Sequence, residues 1–261
     1  MTAALPLSAS LCRVRPAMGS FVALEVAAAN EGVAIDAIEA GFAVVRRVEA
    51  RMHPTRAGSD LAAIRAASAG EPVLIDSWTW EVLALARRIN CLSNGAFDPC
   101  LPCGPGRIDG LELERPGIAI RRTELHVDLG GIAKGFAVDK AVEAMLTAGA
   151  DAGIVNAGGD LRVFGAPRRV LVRFGDGRSR EITLDEAALA VSSPNASSRP
   201  PEHAGYYLRT GAPVQMRPAA VVAPSAAVAD ALATCALLLG TELDHCLFGQ
   251  LSAILIGVNV R

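Results

Sequence analysis

Two short stretches of the chain carry residue types that could do chemistry together. In "VDLGGIAKGFAVDKA" (127–141) a short apolar strand is expected to run into a paired-glycine turn and then a helix, with Asp128 before the turn, Gly131 within it and Lys134 near the helix start. Such a corner suits an anion, because unpaired N–H groups and the dipole at a helix start favour negative charge, and glycine permits close approach. Lys134 would add a point charge. The corner is not a P-loop, since the GxxxxGK[ST] spacing is absent, and a paired glycine also serves as a plain structural bend. In "ADALAT" (229–234), Asp230 and Thr234 stand four apart on an expected helix and so share one face. A carboxylate and a hydroxyl there offer two hard oxygen ligands, suited to Mg²⁺ rather than to zinc. Alternatively, Asp230 only complements the dipole of a helix N-terminus, although a charge inside so apolar a helix still needs a partner.

Two further stretches are weaker by themselves. Asp98 in "NGAFDP" (94–99) precedes Pro99 and must be extended or in a turn, where it could accept hydrogen bonds from a ligand or from its own turn. The glycines of "VNAGGD" (155–160) let the backbone approach another segment or a ligand closely. Cys100 and Cys103 form a CxxC that could be redox-active or half a zinc site, but Pro102 lies inside it and no second CxxC or histidine pair completes a metal set, which favours reduced core thiols. The histidines, His53, His126, His203 and His245, suggest no Ser-His-Asp arrangement.

Positioning these residues requires a sizeable fold. At 261 residues, 51% hydrophobic and 20% charged, the chain is long and apolar enough for a substantial core. A formal charge of −2 gives no electrostatic grip on nucleic acid, which leaves small molecules or proteins as partners. The most apolar region is broken by Pro224 and Asp230, so no membrane span is expected. The N-terminus lacks a basic segment and a long apolar run, and Cys12 follows Leu11 rather than a small residue; a cytoplasmic location is expected.

Strands are expected at 20–28, in "PVLID", at "HVDLG", on both sides of the paired glycine in 152–165, in "RRVLVRF", "REITL", "ALAVSS" and "AAVVA", and in a last "LSAILIGVNV". Helices are expected from Asn30 to Met52, over "SDLAAIRAA", from Ser77 to about Leu92, over 132–148 and from Ser225 to about Leu239. Residues 96–126 read as loop. No repeat or linker divides the chain, which predicts a single α+β domain with mixed or antiparallel sheets and packed helices.

The order of these pieces is more specific than any one of them. "AMGSF", "SDLAAIRAA", "GAFDP", "VDLGGIAKGFAVDKA", "VNAGGDLRVFG" and "ADALATCALLLG" resemble, in sequence and spacing, the FAD:protein FMN transferase family, the ApbE-like flavin transferases. The resemblance implies an ApbE-like, T-fold-related domain over 18–261, behind an N-terminal extension of 1–17. It implies Mg²⁺-dependent transfer of the FMN moiety of FAD to a threonine of an acceptor flavoprotein, with release of AMP. An FAD-binding protein without transferase activity, or an FAD pyrophosphatase giving FMN and AMP, are the alternatives. The metal positions implied are Gly131 (through its carbonyl), Asp230 and Thr234, and the flavin positions Met18, Ala96, Phe97, Asp98, Asp128 and Lys134. The family's His-Ile-Ile-Asp-Pro-Arg-Thr-Gly segment corresponds to "AGYYLRTG" here. It keeps only Arg209-Thr210-Gly211, with Ala204 at the position of the proposed general base and His203 beside it. Thr55 stands where an aromatic residue usually packs on the adenine. No residue of this chain is assigned as the catalytic base.

Overall fold

The structure, a computed structural model, describes residues 9–100, 104–174, 177, 179–192, 218–239 and 245–256. His203, Ala204, Arg209-Thr210-Gly211, Cys103 and the end of the last expected strand lie outside the described residues.

The first two strands, β1 (Ala9–Ala17) and β2 (Ser20–Ala28), form a hairpin around a two-residue loop, Met18-Gly19. Both loop residues have positive φ, 52° and 69°, the backbone that matches the twist of paired strands. The helix α1 (Glu31–Met52) starts where Asn30 Oδ1 accepts the Val33 N–H, and its helical-period apolar residues bury Ile38, Phe42, Val45 and Val48. Ser59 likewise caps α2 (Asp60–Ala66). A small three-stranded sheet follows, in the order β3 (Pro72–Leu74), β5 (Ile118–Arg121), β4 (Leu111–Arg115), with α3 (Ser77–Leu92) inserted between its first two strands in sequence.

The second half supplies α4 (Ala133–Thr147), β6 (Ala150–Ala157), β7 (Asp160–Phe164), β8 (Arg168–Arg173), β9 (Ser179–Leu184), β10 (Ala188–Ser192), β11 (Ala219–Ala223), α5 (Ala226–Leu239), α6 (His245–Gln250) and β12 (Ile254–Ile256). Seven strands pair antiparallel in the order β1-β2-β6-β7-β10-β11-β12. On one face, α1 packs on β1 and β2, α4 on β6 and β7, and α5 on β10 and β11. On the other, the hairpin β8–β9 contributes Val172, Phe174 and Leu184 to a second core with Leu161, Val163 and Leu189. Packed beside α4 on this face, α5 is buried over most of its length and apolar apart from Asp230 and Thr234, as a buried helix must be. Among the described residues, no helix is long and apolar enough to cross a membrane.

This is the α+β architecture the sequence predicts, with local differences, among them the unexpected helix α6 and a last strand that starts only at Ile254. Residues 9–17, expected as an extension ahead of the domain, pair with β2 along its whole length as the edge of the main sheet. Arg13, Arg15 and Pro16 hide the strand in the sequence, because charges and proline are what edge strands carry. The loop-rich stretch 96–126 contains β4 and β5, which turn at Pro116-Gly117. Conversely, "HVDLG" is not a strand: only Val127 bridges to Cys100, and Asp128 Oδ1 instead accepts the Gly130 N–H at 2.8 Å. Local side-chain capping there outcompetes the ladder.

Sheet register gathers the motifs at one end. Val22 of β2 lies opposite Ala157 of β6, so the Met18-Gly19 turn and the Gly158-Gly159 turn of β6–β7 are neighbours. A Cβ on Gly158 would fall 2.6 Å from Ser20 Oγ. The end of β10 and the start of β11, where Ser192 pairs with Ala219, lie at the same end.

Candidate active site between helices α4 and α5

The two stretches singled out for chemistry meet along antiparallel helices. Asp139 accepts the Ala226 and Ala227 N–H groups, one on each carboxylate oxygen, both at 2.9 Å. One turn earlier on α4, the Gly135 N–H donates to Asp230 Oδ2 at 3.2 Å. One turn earlier again, a Cβ on Gly131 would lie 3.3 Å from Thr234 Oγ1. Steps of four up α4 are thus matched by steps of four down α5, and the Gly-Gly corner faces the Asp230/Thr234 pair. The approach depends on glycine: a Cβ on Gly135 would lie 2.2 Å from the Ala226 carbonyl oxygen.

Asp139 also sets the start of α5. The first N–H groups of a helix lack intrahelical partners, and this carboxylate from α4 supplies them while pairing with Arg162 Nη1 at 2.9 Å. Burial pushes its carboxyl above the ordinary carboxylate value, against the pull of the two amides and Arg162.

A third acid completes the cluster. Asp160 opens β7 directly after the Gly158-Gly159 turn, and its Oδ2 lies 2.6 Å from Lys134 Nζ. The same nitrogen is 3.6 Å from Asp230 Oδ2 and 3.5 Å from the Gly130 carbonyl oxygen. Asp160, Asp230 and Thr234 are all buried. Burial raises both carboxyls, Asp230 further through the charge of Asp160, and Lys134 pulls each back; Asp230 is pushed up to about 7.

With both carboxyls ionised, two buried carboxylates sharing one ammonium leave an excess of one negative charge beside a hydroxyl and a backbone corner. That donor set consists of oxygens alone, the chemistry of a hard divalent cation. Among the described residues, no three His, Cys, Asp or Glu side chains gather as a metal cage. A cation held by Asp230 and Thr234 would therefore take its remaining ligands from backbone carbonyls such as that of Gly131, from water or from substrate, as Mg²⁺ does.

The loop at 94–99 is pinned against this corner. Helix α3 ends with Asn94 at φ 50° and with Asn94 and Gly95 N–H groups returning to the Cys91 and Asn90 carbonyls at 3.2 and 2.7 Å, a Schellman ending. The Phe97 N–H then donates to Ser93 Oγ at 3.0 Å, and Asn90 Nδ2 donates to the Phe97 carbonyl at 2.7 Å. Phe97 Cε2 would lie 3.4 Å from a Cβ on Gly131, so this buried ring packs under the corner beside buried Ala96. Asp98 Oδ1 accepts the Cys100 and Ile108 N–H groups at 2.9 and 3.2 Å, and Oδ2 lies 3.3 Å from Arg107 Nη2. Burial raises its carboxyl, opposed by the Cys100 amide and Arg107. Asp128 is tied to the same loop, its N–H donating to the Pro99 carbonyl at 2.7 Å.

Of the residues expected from the sequence, Gly131, Lys134, Asp230, Thr234 and Phe97 are brought together, with Ala96, Asp98 and Asp128 in the adjoining loops. Met18 sits in the neighbouring hairpin turn, where its N–H donates to Glu49 Oε1 of α1 at 3.0 Å. Thr55 is exposed, and its N–H donates to His53 Nδ1 at 3.3 Å. Sequence reasoning missed Asp139, Asp160, Gly135 and Glu49. The available signal was two acids, Asp139 and Asp160, within apolar stretches, where a charge demands a partner.

The profile of the ApbE family matches residues 18–103 and 106–251. A curated relative from Treponema pallidum (strain Nichols), FAD:protein FMN transferase, is 26% identical over 293 residues, covering 89% of this chain and 77% of that protein. Among solved structures, the flavin transferase ApbE from Vibrio cholerae superposes with a TM-score of 0.75 at 21% identity, over 95% of this chain and 92% of that one. The apo form of Pseudomonas stutzeri flavinyl transferase ApbE also reaches 0.75, at 18% identity, over 88% and 84% of the two chains. With the family profile spanning nearly the whole described fold and its motifs meeting at one site, the chain belongs to the ApbE family.

Proposed function

We propose that this chain is a flavin transferase that moves the FMN moiety of FAD onto a threonine of an acceptor flavoprotein and releases AMP, with Mg²⁺ bound at Asp230, Thr234 and the Gly131 carbonyl. The observation that carries the reading is the helix register that sets Gly131 against Thr234 and Gly135 against Asp230. Membership of the ApbE family and the flavin transferase relatives support the substrate class.

The residues have separable tasks. Asp230 and Thr234 would hold the cation at the pyrophosphate, while Gly131 leaves room for the phosphates and keeps the corner flush with α5. Met18, Ala96, Phe97, Asp98 and Asp128 would line the flavin half, with Lys134 between flavin and metal. The bound cation would supply Lewis-acid neutralisation of charge building on the departing AMP. No residue is assigned to accept the threonine proton; Ala204 stands where the family's histidine would, outside the described residues.

The test is an incubation of the purified chain with FAD and Mg²⁺, with and without a threonine-bearing acceptor. FMN-labelled acceptor and one equivalent of AMP are expected, both lost in Asp230→Ala. Ala204 at the usual histidine position motivates a second reading, FAD hydrolysis. Free FMN and AMP in the absence of acceptor would select it. FAD binding without either product would leave an FAD-binding protein.

A further inference from the structure

Asp160 lies outside the residues that family resemblance assigns to metal or flavin. It is 4% exposed and fixed in place by the preceding turn, where Asn156 Oδ1 accepts the Gly159 N–H at 2.9 Å. Of the carboxylates of Asp160 and Asp230, the Lys134 ammonium is seated on the first, 2.6 Å away, with the second at 3.6 Å. Both carboxylate side chains are almost fully enclosed (6% and 5% exposed), so these charges act on one another with little water between them. Remove the Asp160 charge, and the Asp230 carboxylate remains within 3.6 Å of the ammonium.

We infer that Asp160 is a positioning residue for the cation site: it neutralises and retains Lys134, and thereby leaves Asp230 as the anion presented to a divalent metal. The inference rests on Asp230 being a metal ligand, as proposed above. With both carboxyls ionised, as they are when a cation is bound beside them, the trio carries one net negative charge. Asp160→Asn brings it to neutrality and shifts the ammonium's pull onto Asp230. Lys134→Met leaves both carboxylates uncompensated. The double variant returns to a single negative charge, on Asp230 itself.

The test uses Mn²⁺ alone as the probe, bound to the full chain without FAD and followed by the electron paramagnetic resonance signal of the free ion. Asp160→Asn is expected to weaken Mn²⁺ binding about ten-fold or more, the effect usual for a residue supporting a metal ligand. Lys134→Met is expected to bind at least as tightly as the wild type. The double variant is expected within about three-fold of wild type, because the two changes act on one shared interaction and do not add. Wild-type affinity in Asp160→Asn, or a double variant as weak as Asp160→Asn, would overturn the inference. Should circular dichroism show Asp160→Asn unfolded, the double variant decides alone: recovery supports the inference, and a loss of about ten-fold overturns it. Wild-type protein that binds no Mn²⁺ removes the metal reading and this inference together, whereas a binding wild type with unchanged variants removes only the inference.

Discussion

Gly135 and Asp230 lie 95 positions apart and meet where the Gly135 N–H donates to the Asp230 carboxylate at 3.2 Å. The contact requires the missing side chain, since a Cβ there would sit 2.2 Å from the Ala226 carbonyl oxygen and 2.7 Å from the Ala227 nitrogen. These are backbone atoms, which no rotamer change can move aside. Gly135→Ala must therefore separate the helices. The expected loss is about 3 kcal/mol, at the upper end for overpacking a core. Metal affinity falls with it, because Asp230 loses its N–H donor and shifts away from Gly131. Urea unfolding followed by Mn²⁺ titration checks both, and an unchanged unfolding midpoint would mean the close approach does not exist.

Asp139 holds the other end of the same register. Truncation in Asp139→Ala leaves two helix N–H groups and the Arg162 guanidinium without their buried acceptor. Breaking a buried charge pair in this way costs about 3–5 kcal/mol. Asp139→Asn keeps one acceptor oxygen and should lose less. The acid also predicts a pH trend. Its folded-state carboxyl is raised by burial, so folding takes up a proton between the ordinary carboxylate value and the raised one. The stability from this group is therefore present at acid pH and declines as pH rises through that window. The difference in unfolding free energy between wild type and Asp139→Asn, measured across that range, should follow this sign; a rise with pH would contradict it.

Much of this site was legible in the sequence because its parts are local. A helix face carrying Asp230 and Thr234 follows from four-residue spacing, and a paired glycine before a helix announces a corner. What was hidden depends on long-range register. Nothing local says that Asp139 caps a helix 87 residues downstream, or that Asp160 meets Lys134 rather than solvent. In the fold, β1 was obscured by its arginines and proline, and "HVDLG" was misread because Asp128 captures the Gly130 N–H. Each miss is a case where one side chain's partner, and not its own propensity, decided the local structure.

Thiol reactivity follows from burial and can be read directly. Cys100 and Cys235 are buried free thiols, and burial drives both far up, Cys235 to about 12. Thiolate is the reactive form, so neither should react with Ellman's reagent near neutral pH while the chain is folded. Exposed Cys12 and Cys91 should label readily. Peptide mapping after brief labelling, with and without denaturant, separates the two groups. Rapid native labelling of Cys235 would show that α5 is not buried as the structure has it.

Met18 offers a way to separate binding from stability. Its φ of 52° lies in the left-handed region that a non-glycine side chain adopts at a cost of roughly 1–2 kcal/mol. The hairpin retains it there while the Met18 N–H donates to Glu49 Oε1. Strain held at such a position points to use of the side chain. In Met18→Gly the turn is kept and its strain relieved, which offsets the lost packing of a partly buried residue. The net change in stability should stay within about 1 kcal/mol. If the methionine contacts the flavin, FAD affinity should nevertheless fall about ten-fold, the loss of a modest apolar contact. Glu49→Ala should weaken FAD binding in the same direction by freeing the turn, and Glu49→Gln, which keeps an acceptor oxygen, should restore it. FAD fluorescence quenching gives the affinities and urea unfolding the stabilities. Unaltered FAD affinity in Met18→Gly would remove Met18 from the flavin site and leave the turn a structural element alone.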